Sequence, residues 1–122
     1  MKRILVIEDN KTNMYLIGFI LKKNGYEVIE AKSGEEGIRL AIKEIPDLII
    51  MDIQLPGIDG LETTKMIRES KADGKIPIIA LTSYAMTGDR ERALEAGCNG
   101  YIEKPINPDI IIGEVEKYFL NK

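Results

Sequence analysis

The chain of 122 residues contains no histidine, and this absence excludes several kinds of catalytic and metal site. A Ser-His-Asp triad, a histidine-liganded metal and a phosphohistidine formed on the chain itself all require the missing residue. The single cysteine, Cys98, excludes an internal disulfide and is typical of proteins of the reducing cytoplasm.

Long hydrophobic runs are also missing from the chain. No apolar stretch approaches the roughly 20 residues that span a bilayer. Glu8 and Asp9 interrupt the N-terminal apolar run too early for a signal peptide. The formal net charge of -3 argues against general binding to nucleic acids, which requires a basic surface. We therefore predict a cytoplasmic protein with one domain over residues 1–122 and with neither membrane nor nucleic-acid partners.

Five short apolar runs alternate with stretches of helical periodicity along the chain. The alternation predicts an α/β fold in which all strands of the sheet are parallel, because a helix follows each strand. The predicted strands lie near residues 3–8, 26–30, 47–52, 76–81 and 99–102. The predicted helices lie near residues 11–24, 33–44, 59–71, 86–96 and 107–120. Asp59 and Glu62 have the spacing of a capping box at the start of the third helix.

Side chains that can carry chemistry collect at the ends of the predicted strands. Glu8 and Asp9 follow the first strand, and Asp52 ends the third, where a buried run opens into a loop. Thr82 follows the fourth strand, and Lys104 follows the fifth. Because the carboxyl ends of parallel strands share one edge of a sheet, we expect these side chains to lie together.

The residue types at this edge suit phosphoryl chemistry assisted by a metal. Three crowded carboxylates repel one another, and a hard divalent cation relieves the repulsion. Mg²⁺ binds one or two carboxylates together with phosphate oxygens, and a lysine supplies positive charge for a phosphoryl oxygen. An aspartate can itself act as a nucleophile and form an acyl phosphate. Taken alone, Asp52 could be a metal ligand, a base or a nucleophile.

The chain resembles the response-regulator receiver domains of two-component signalling over essentially its whole length. The matching features are the Glu8-Asp9 doublet, Asp52, the loop from Pro56-Gly57 to Gly60, Thr82 and the Lys104-Pro105 pair. The resemblance implies a flavodoxin-like (βα)5 doubly wound fold with sheet order 2-1-3-4-5. It also implies a signalling switch in which Asp52 accepts a phosphoryl group from a phosphohistidine on a sensor histidine kinase or a histidine phosphotransfer protein.

The resemblance assigns metal and phosphoryl roles to individual residues. Asp9 and Asp52 would bind Mg²⁺ directly, together with the backbone carbonyl of Gln54. Glu8 would act on the metal mainly through water. Lys104 would pair with Asp52 and then with the phosphoryl group, and its peptide bond to the following proline is expected to be cis.

The resemblance also assigns the parts of a switch. Thr82 would move toward the phosphoryl group, and the ring of Tyr101 would follow, changing the surface of the fourth helix, fifth strand and fifth helix. That surface would contact protein partners such as a downstream kinase, and it is a candidate homodimer interface. Gln54 and Tyr84 occupy positions that tune hydrolysis of the acyl phosphate. The chain looks most like DivK-type single-domain receivers and the receivers of hybrid kinases. Only Leu120-Asn121-Lys122 follow the fifth helix, with no linker and no helix-turn-helix domain, so we expect a stand-alone receiver.

Simpler interpretations of single residues stay open at this point. The pair Asp9-Asn10 could cap the first helix. Lys104 could be an ordinary surface lysine, and Thr82 could simply satisfy the end of a strand. Tyr101 could be a half-buried ring that does not move.

Two other classes of function also stay open. An aspartate-nucleophile phosphatase uses similar chemistry, but such enzymes generally carry a second acid at the position of Gln54. A flavodoxin-like cofactor binder would need a glycine-rich phosphate loop after the first strand, where Asp9-Asn10 stands instead. We expect a protein that catalyses only its own phosphorylation and dephosphorylation, and not an enzyme that turns over a separate substrate.

Overall fold

The computed structural model describes residues 1–70, 72, 74–83 and 88–120, in which five strands and five helices alternate. The strands are β1 (Arg3–Ile7), β2 (Glu27–Ala31), β3 (Leu48–Asp52), β4 (Ile78–Thr82) and β5 (Gly100–Glu103). The helices are α1 (Lys11–Lys23), α2 (Gly34–Glu44), α3 (Gly60–Glu69), α4 (Asp89–Ala96) and α5 (Pro108–Phe119). The predicted start of the fourth helix at residue 86 lies outside the described residues. None of the described helices is long and apolar enough to cross a membrane.

The five strands form one parallel sheet in the order β2-β1-β3-β4-β5. The predicted sheet order is therefore confirmed. The chain moves from β1 outward to β2 and then crosses to β3 on the other side of β1. Since each crossover is right-handed in such sheets, this reversal places helices on both faces and opens a crevice at the carboxyl ends of β1 and β3.

The central strands contribute to two hydrophobic cores, one on each face of the sheet. Leu5 and Ile49 belong to the core that contains residues of α2, α3 and α4. Their sequence neighbours Ile4 and Leu48 belong to the core that contains residues of α1 and α5. Because successive side chains of a strand point to opposite faces, a strand covered on both faces must be apolar throughout. This burial explains why the apolar runs are continuous.

Side-chain caps set the starts of the helices that follow β1 and β3. Asn10 accepts a hydrogen bond from the Asn13 N–H at 2.9 Å, and Asp59 accepts one from the Glu62 N–H at 2.9 Å. The second contact is one half of the predicted capping box. Asn10 rather than Asp9 caps α1, which leaves the Asp9 carboxylate available at the edge of the sheet.

Arg68, in the last turn of α3, joins two connections at the opposite, amino-terminal edge of the sheet. Its guanidinium donates to the carbonyls of Gly74 and Ile76 before β4 and to Gly97 O at the end of α4. It also donates to Asn99 Oδ1 before β5 at 2.8 Å. The planar fork of an arginine can serve this many acceptors at once, whereas a lysine ammonium carries three donors. No pattern in the sequence singled out Arg68.

Candidate functional site

Three acidic side chains meet at the carboxyl edge between β1 and β3. The register of the two strands pairs Ile7 with Met51, so that the next residues, Glu8 and Asp52, lie level with each other. Glu8 is 1% exposed and Asp52 is 4% exposed, whereas Asp9 is exposed to solvent. One carboxylate oxygen from each of the three acids lies within 4.8 Å of the other two. The structure thus brings together the acids that the sequence placed on two separate strands.

Both oxygens of the Asp52 carboxylate accept hydrogen bonds. Oδ1 accepts from the Gln54 backbone N–H at 2.9 Å, and Oδ2 accepts from Lys104 Nζ at 3.0 Å. Lys104 comes from the loop after β5, where its backbone N–H donates to Thr82 O at 2.7 Å. Its peptide bond to Pro105 is cis, as expected. With 13% of its side chain exposed, Lys104 does not occupy a surface position.

Glu8 is a buried acid with one oxygen that lacks a hydrogen bond. Oε2 accepts from the Asn10 N–H at 3.1 Å, whereas Oε1 has no hydrogen-bond partner among the described residues. Lys104 Nζ lies 3.4 Å from Oε1 as an ion-pair partner. Burial raises the pKa of Glu8 to about 7; the Asn10 N–H opposes this shift, Asp52 adds to it and Lys104 opposes it.

The ammonium group of Lys104 is partly buried. Burial, the largest single effect, lowers its pKa, but the hydrogen bond and charge of Asp52 together with the charge of Glu8 outweigh burial. The pKa of Lys104 is therefore raised above its usual value, and the ammonium stays protonated at neutral pH.

The donor atoms of this cluster fit a hard divalent cation. Glu8, Asp9 and Asp52 offer oxygen ligands, whereas zinc and copper sites favour nitrogen and sulfur. The buried Oε1 of Glu8, which lacks a hydrogen-bond donor, is the observation that supports the fit. A cation with its bound water would supply the positive charge and the donors that this oxygen lacks.

The side chain of Gln54 connects two loops of the site. Its Nε2 donates to Thr82 Oγ1 at 2.7 Å, and its Oε1 accepts from the Ser83 N–H at 3.2 Å. Thr82 is fully buried at the end of β4 and does more than terminate the strand. The resemblance assigned Gln54 a metal-binding backbone carbonyl and a position that tunes hydrolysis, but it did not predict these side-chain contacts. No local pattern signals them, because Gln54 and Thr82 lie 28 residues apart.

Tyr101 lies on β5 with its side chain half-buried against the core that includes Ala93 of α4. Burial raises the pKa of its hydroxyl, and the nearby Glu103 carboxylate adds to the shift. The rotation of this ring stays a prediction. Tyr84, to which the resemblance assigns a position that tunes hydrolysis of the acyl phosphate, lies outside the described residues.

Comparison with known proteins shows the family to which the chain belongs. Residues 4–116 match the model of the response regulator receiver domain. The chain belongs to this family. It is accordingly a receiver domain of two-component signalling, and its acidic cluster lies at the carboxyl edge of the family's five-stranded parallel sheet.

Known receivers resemble this one in sequence and in structure. It is 44% identical over 117 residues to the polar-differentiation response regulator DivK of Brucella ovis, covering 96% of this chain and 95% of that protein. It is 37% identical to the receiver domain of a Pseudomonas aeruginosa sensor histidine kinase, whose structure holds a magnesium ion in the active site cleft; the TM-score is 0.89 over 96% of both chains. The receiver domain of Saccharomyces cerevisiae Ssk1, crystallised with the histidine phosphotransfer protein Ypd1, is 30% identical. Its TM-score is 0.87 over 96% of this chain and 88% of that one.

The raised pKa of Glu8 predicts that the metal-free receiver loses stability as the pH rises. The folded-state pKa of about 7 exceeds the ordinary value of 4.5. At pH values between these two, the folded chain keeps a proton on Glu8 that the unfolded chain releases. This stabilisation is present below the unfolded pKa and is lost as the pH rises through the folded pKa. We expect the free energy of unfolding to fall by on the order of 2 kcal/mol between about pH 5 and pH 8.

Denaturant titrations in a chelator, at several pH values across this range, check the prediction. Few other side chains titrate there, because the chain has no histidine. The matched variant Glu8→Gln removes the titrating group and should flatten the pH dependence. A wild-type profile as flat as that of the variant would contradict the prediction.

Proposed function

We propose that this receiver is a phosphorylation-dependent switch in which Asp52 accepts the phosphoryl group. The observation that carries the proposal is a buried Asp52 carboxylate with Lys104 Nζ at 3.0 Å and two further acids beside it. Asp52 attacks the phosphorus of a phosphohistidine on a partner protein. The new P–O bond forms as the P–N bond breaks, and the imidazole leaves with the electron pair of the broken bond. The product is an acyl phosphate on Asp52.

The residues around Asp52 have distinct roles in this step. Lys104 Nζ, which already donates to the Asp52 carboxylate, would donate to an oxygen of the phosphoryl group and offset its charge. Asp9, Asp52 and the backbone carbonyl of Gln54 would hold Mg²⁺ directly, and Glu8 would do so mainly through water. When bound, Mg²⁺ neutralises part of the charge on the transferring group. The hydroxyl of Thr82 would donate to the phosphoryl group once it is in place.

These 122 residues contain no histidine, so the phosphohistidine that serves as donor must lie outside them. A sensor histidine kinase or a histidine phosphotransfer protein fits this need, and the structure of the Ssk1 receiver with Ypd1 supports it. Helix α1 exposes Tyr15 and Phe19 with 70% and 56% of their surface, and Tyr15 lines a cleft of about 300 Å³ together with Glu8 and Asp9. Exposed aromatic side chains on α1, one of which lines the cleft that contains Glu8 and Asp9, suit contact with a protein donor.

We further propose that phosphorylation changes the surface of α4, β5 and α5 through Thr82 and Tyr101. That surface would regulate protein partners, among them a downstream kinase, and would also form a homodimer. The phosphoryl group stays on the chain, so the receiver catalyses only its own phosphorylation and dephosphorylation. An amide rather than an acid at Gln54 supports this role over that of a phosphatase. A cytoplasmic site of action is supported by Cys98, a free thiol that needs no oxidising compartment.

Intact-mass spectrometry after incubation with acetyl phosphate and Mg²⁺ tests the phosphoacceptor. We expect the wild type to gain the mass of one phosphoryl group and the isosteric variant Asp52→Asn to gain none. Asp59→Asn is the matched control, since it changes the acid that follows Asp52 in the sequence and keeps a side chain that can cap α3. It should be labelled like the wild type.

Two results would refute this assignment: a wild type that takes no phosphate, or an Asp52→Asn variant that is labelled normally. Incubation with a purified phosphotransfer protein that carries phosphohistidine tests the donor, and we expect the phosphate to appear on Asp52. Repeated release of inorganic phosphate from a phosphomonoester would favour a phosphatase instead.

A further inference from the structure

We propose that Gln54 is a positioning residue. Its side-chain amide holds Thr82 in the position that it has in the unphosphorylated protein and thereby slows the phosphorylation of Asp52. The inference rests on the proposed function, in which the Thr82 hydroxyl engages a phosphoryl group on Asp52. It assigns the Gln54 side chain a role separate from that of its backbone carbonyl.

The two partners of the Gln54 amide fix its orientation. The backbone N–H of Ser83 can only donate, so the oxygen Oε1 must face it, at 3.2 Å. The nitrogen Nε2 then faces Thr82 Oγ1, to which it donates at 2.7 Å. One amide therefore binds the last residue of β4, Thr82, through its side chain and the next residue, Ser83, through its backbone.

The other end of Gln54 is fixed beside the phosphoacceptor. Its backbone N–H donates to Asp52 Oδ1 at 2.9 Å. The preceding residue, Ile53, donates its N–H to Leu81 O at 2.9 Å, so the β3–α3 and β4–α4 loops leave the sheet side by side. A single residue thus spans the distance from the Asp52 carboxylate to the Thr82 hydroxyl. Because the Gln54 amide binds both Thr82 and Ser83, a shift of these residues toward Asp52 requires the amide to rearrange or to release them.

The bridge can be removed with little change in packing. Gln54 is exposed, whereas Thr82 is buried beneath its amide. Methionine has an unbranched side chain of similar length, so Gln54→Met keeps the bulk over Thr82 and removes both hydrogen bonds. This variant separates the hydrogen bonds from steric cover.

A double-mutant cycle tests the proposal by measuring the rate of phosphorylation by acetyl phosphate. We expect Gln54→Met to accelerate phosphorylation about fivefold, since two modest hydrogen bonds no longer resist the shift. In a Thr82→Val background, Gln54→Met should accelerate phosphorylation about twofold at most. The hydrogen bond to Thr82 is already absent there, so the substitution removes only the bond between the Gln54 amide and the Ser83 N–H. An equal effect in both backgrounds would mean that Gln54 acts independently of Thr82 and would overturn the proposal. Unchanged or slower phosphorylation in Gln54→Met would overturn it as well.

Hydrogen exchange of the Ser83 amide in the unphosphorylated protein separates this inference from the proposed function. Faster exchange in Gln54→Met is expected, because that amide loses its acceptor. If the wild type is labelled at Asp52 and the variant shows neither faster exchange nor faster labelling, the positioning role alone fails. If the wild type takes no phosphate, the proposed function fails and the positioning role falls with it, whatever the exchange shows.

Discussion

Replacing Lys104 with methionine is expected to slow the phosphorylation of Asp52 by about a hundredfold or more, even as Mg²⁺ binds more tightly. Phosphorylation slows because the ammonium now 3.0 Å from Asp52 Oδ2 is the cationic side chain placed to meet a phosphoryl oxygen. Preorganised hydrogen-bond donors that face the charge developing in a transition state typically contribute about two to three orders of magnitude in rate.

Tighter metal binding follows from the same geometry. Lys104 Nζ lies 3.0 Å from Asp52 and 3.4 Å from Glu8, so it competes with a cation for the same carboxylates. Even with the dielectric constant of water, repulsion between a divalent cation and an ammonium that contact the same carboxylates is on the order of 1–2 kcal/mol. Removing the ammonium should therefore increase the affinity for Mg²⁺ about tenfold.

Two measurements on one pair of variants check this opposition. Calorimetric titration gives the affinity for Mg²⁺, and intact-mass kinetics with acetyl phosphate give the rate of labelling. Lys43→Met, at an exposed position near the end of α2, is the matched control and should change neither quantity. Weaker Mg²⁺ binding by Lys104→Met would show that Lys104 does not compete with the metal for the carboxylates. Labelling of this variant at the wild-type rate would show that Lys104 does not assist phosphorylation.

The substitution Gly60→Ala is expected to lower the free energy of unfolding by about 3 kcal/mol and to impair phosphorylation. A Cβ atom at Gly60 would lie 2.6 Å from Asp52 O and 2.6 Å from Ile53 Cα. Both are backbone atoms at the end of β3, so no flexible side chain can move aside. Either α3 must shift outward or the end of β3 must move and take the Asp52 carboxylate with it.

Gly18→Ala is the matched control for this substitution. Gly18 lies within α1, and a Cβ added there meets nothing within 4 Å. Since alanine favours helix over glycine, the control should be stabilised by about 0.5–1 kcal/mol. Denaturant titration of both variants gives the comparison, and equal stability changes of the same sign would contradict the close approach at Gly60.

The parts of the site that the sequence could predict are those set by strand ends. Glu8 and Asp52 each end an apolar run, and the topology of alternating strands and helices places such ends at one edge. Lys104 and Thr82 could be assigned to that edge in the same way. The fold was predictable for a related reason, since burial of both sheet faces requires the continuous apolar runs that mark the strands.

The resemblance implied the pairing of Lys104 with Asp52, but two other side-chain contacts across long sequence separations could not be predicted. The amide of Gln54 reaches a residue 28 positions away, and the guanidinium of Arg68 reaches one 31 positions away. Neither contact depends on periodicity, capping or turn chemistry. The need for glycine at position 60 is likewise invisible in the sequence, because it arises from how closely α3 approaches the end of β3.

The contacts of Arg68 have a mechanical consequence for the switch. They fasten the C-terminal end of α4 at Gly97, on the edge of the sheet opposite the acids. If the proposed movement of Thr82 reaches α4, the helix would pivot about Gly97, and the displacement would become a tilt of the helix. For eight residues the helix is about 12 Å long, so a tilt of about 10° would carry the first turn of α4 by about 2 Å. A partner that binds this receiver at α4 would therefore meet a large displacement of the surface at Asp89 and a small one at Gly97.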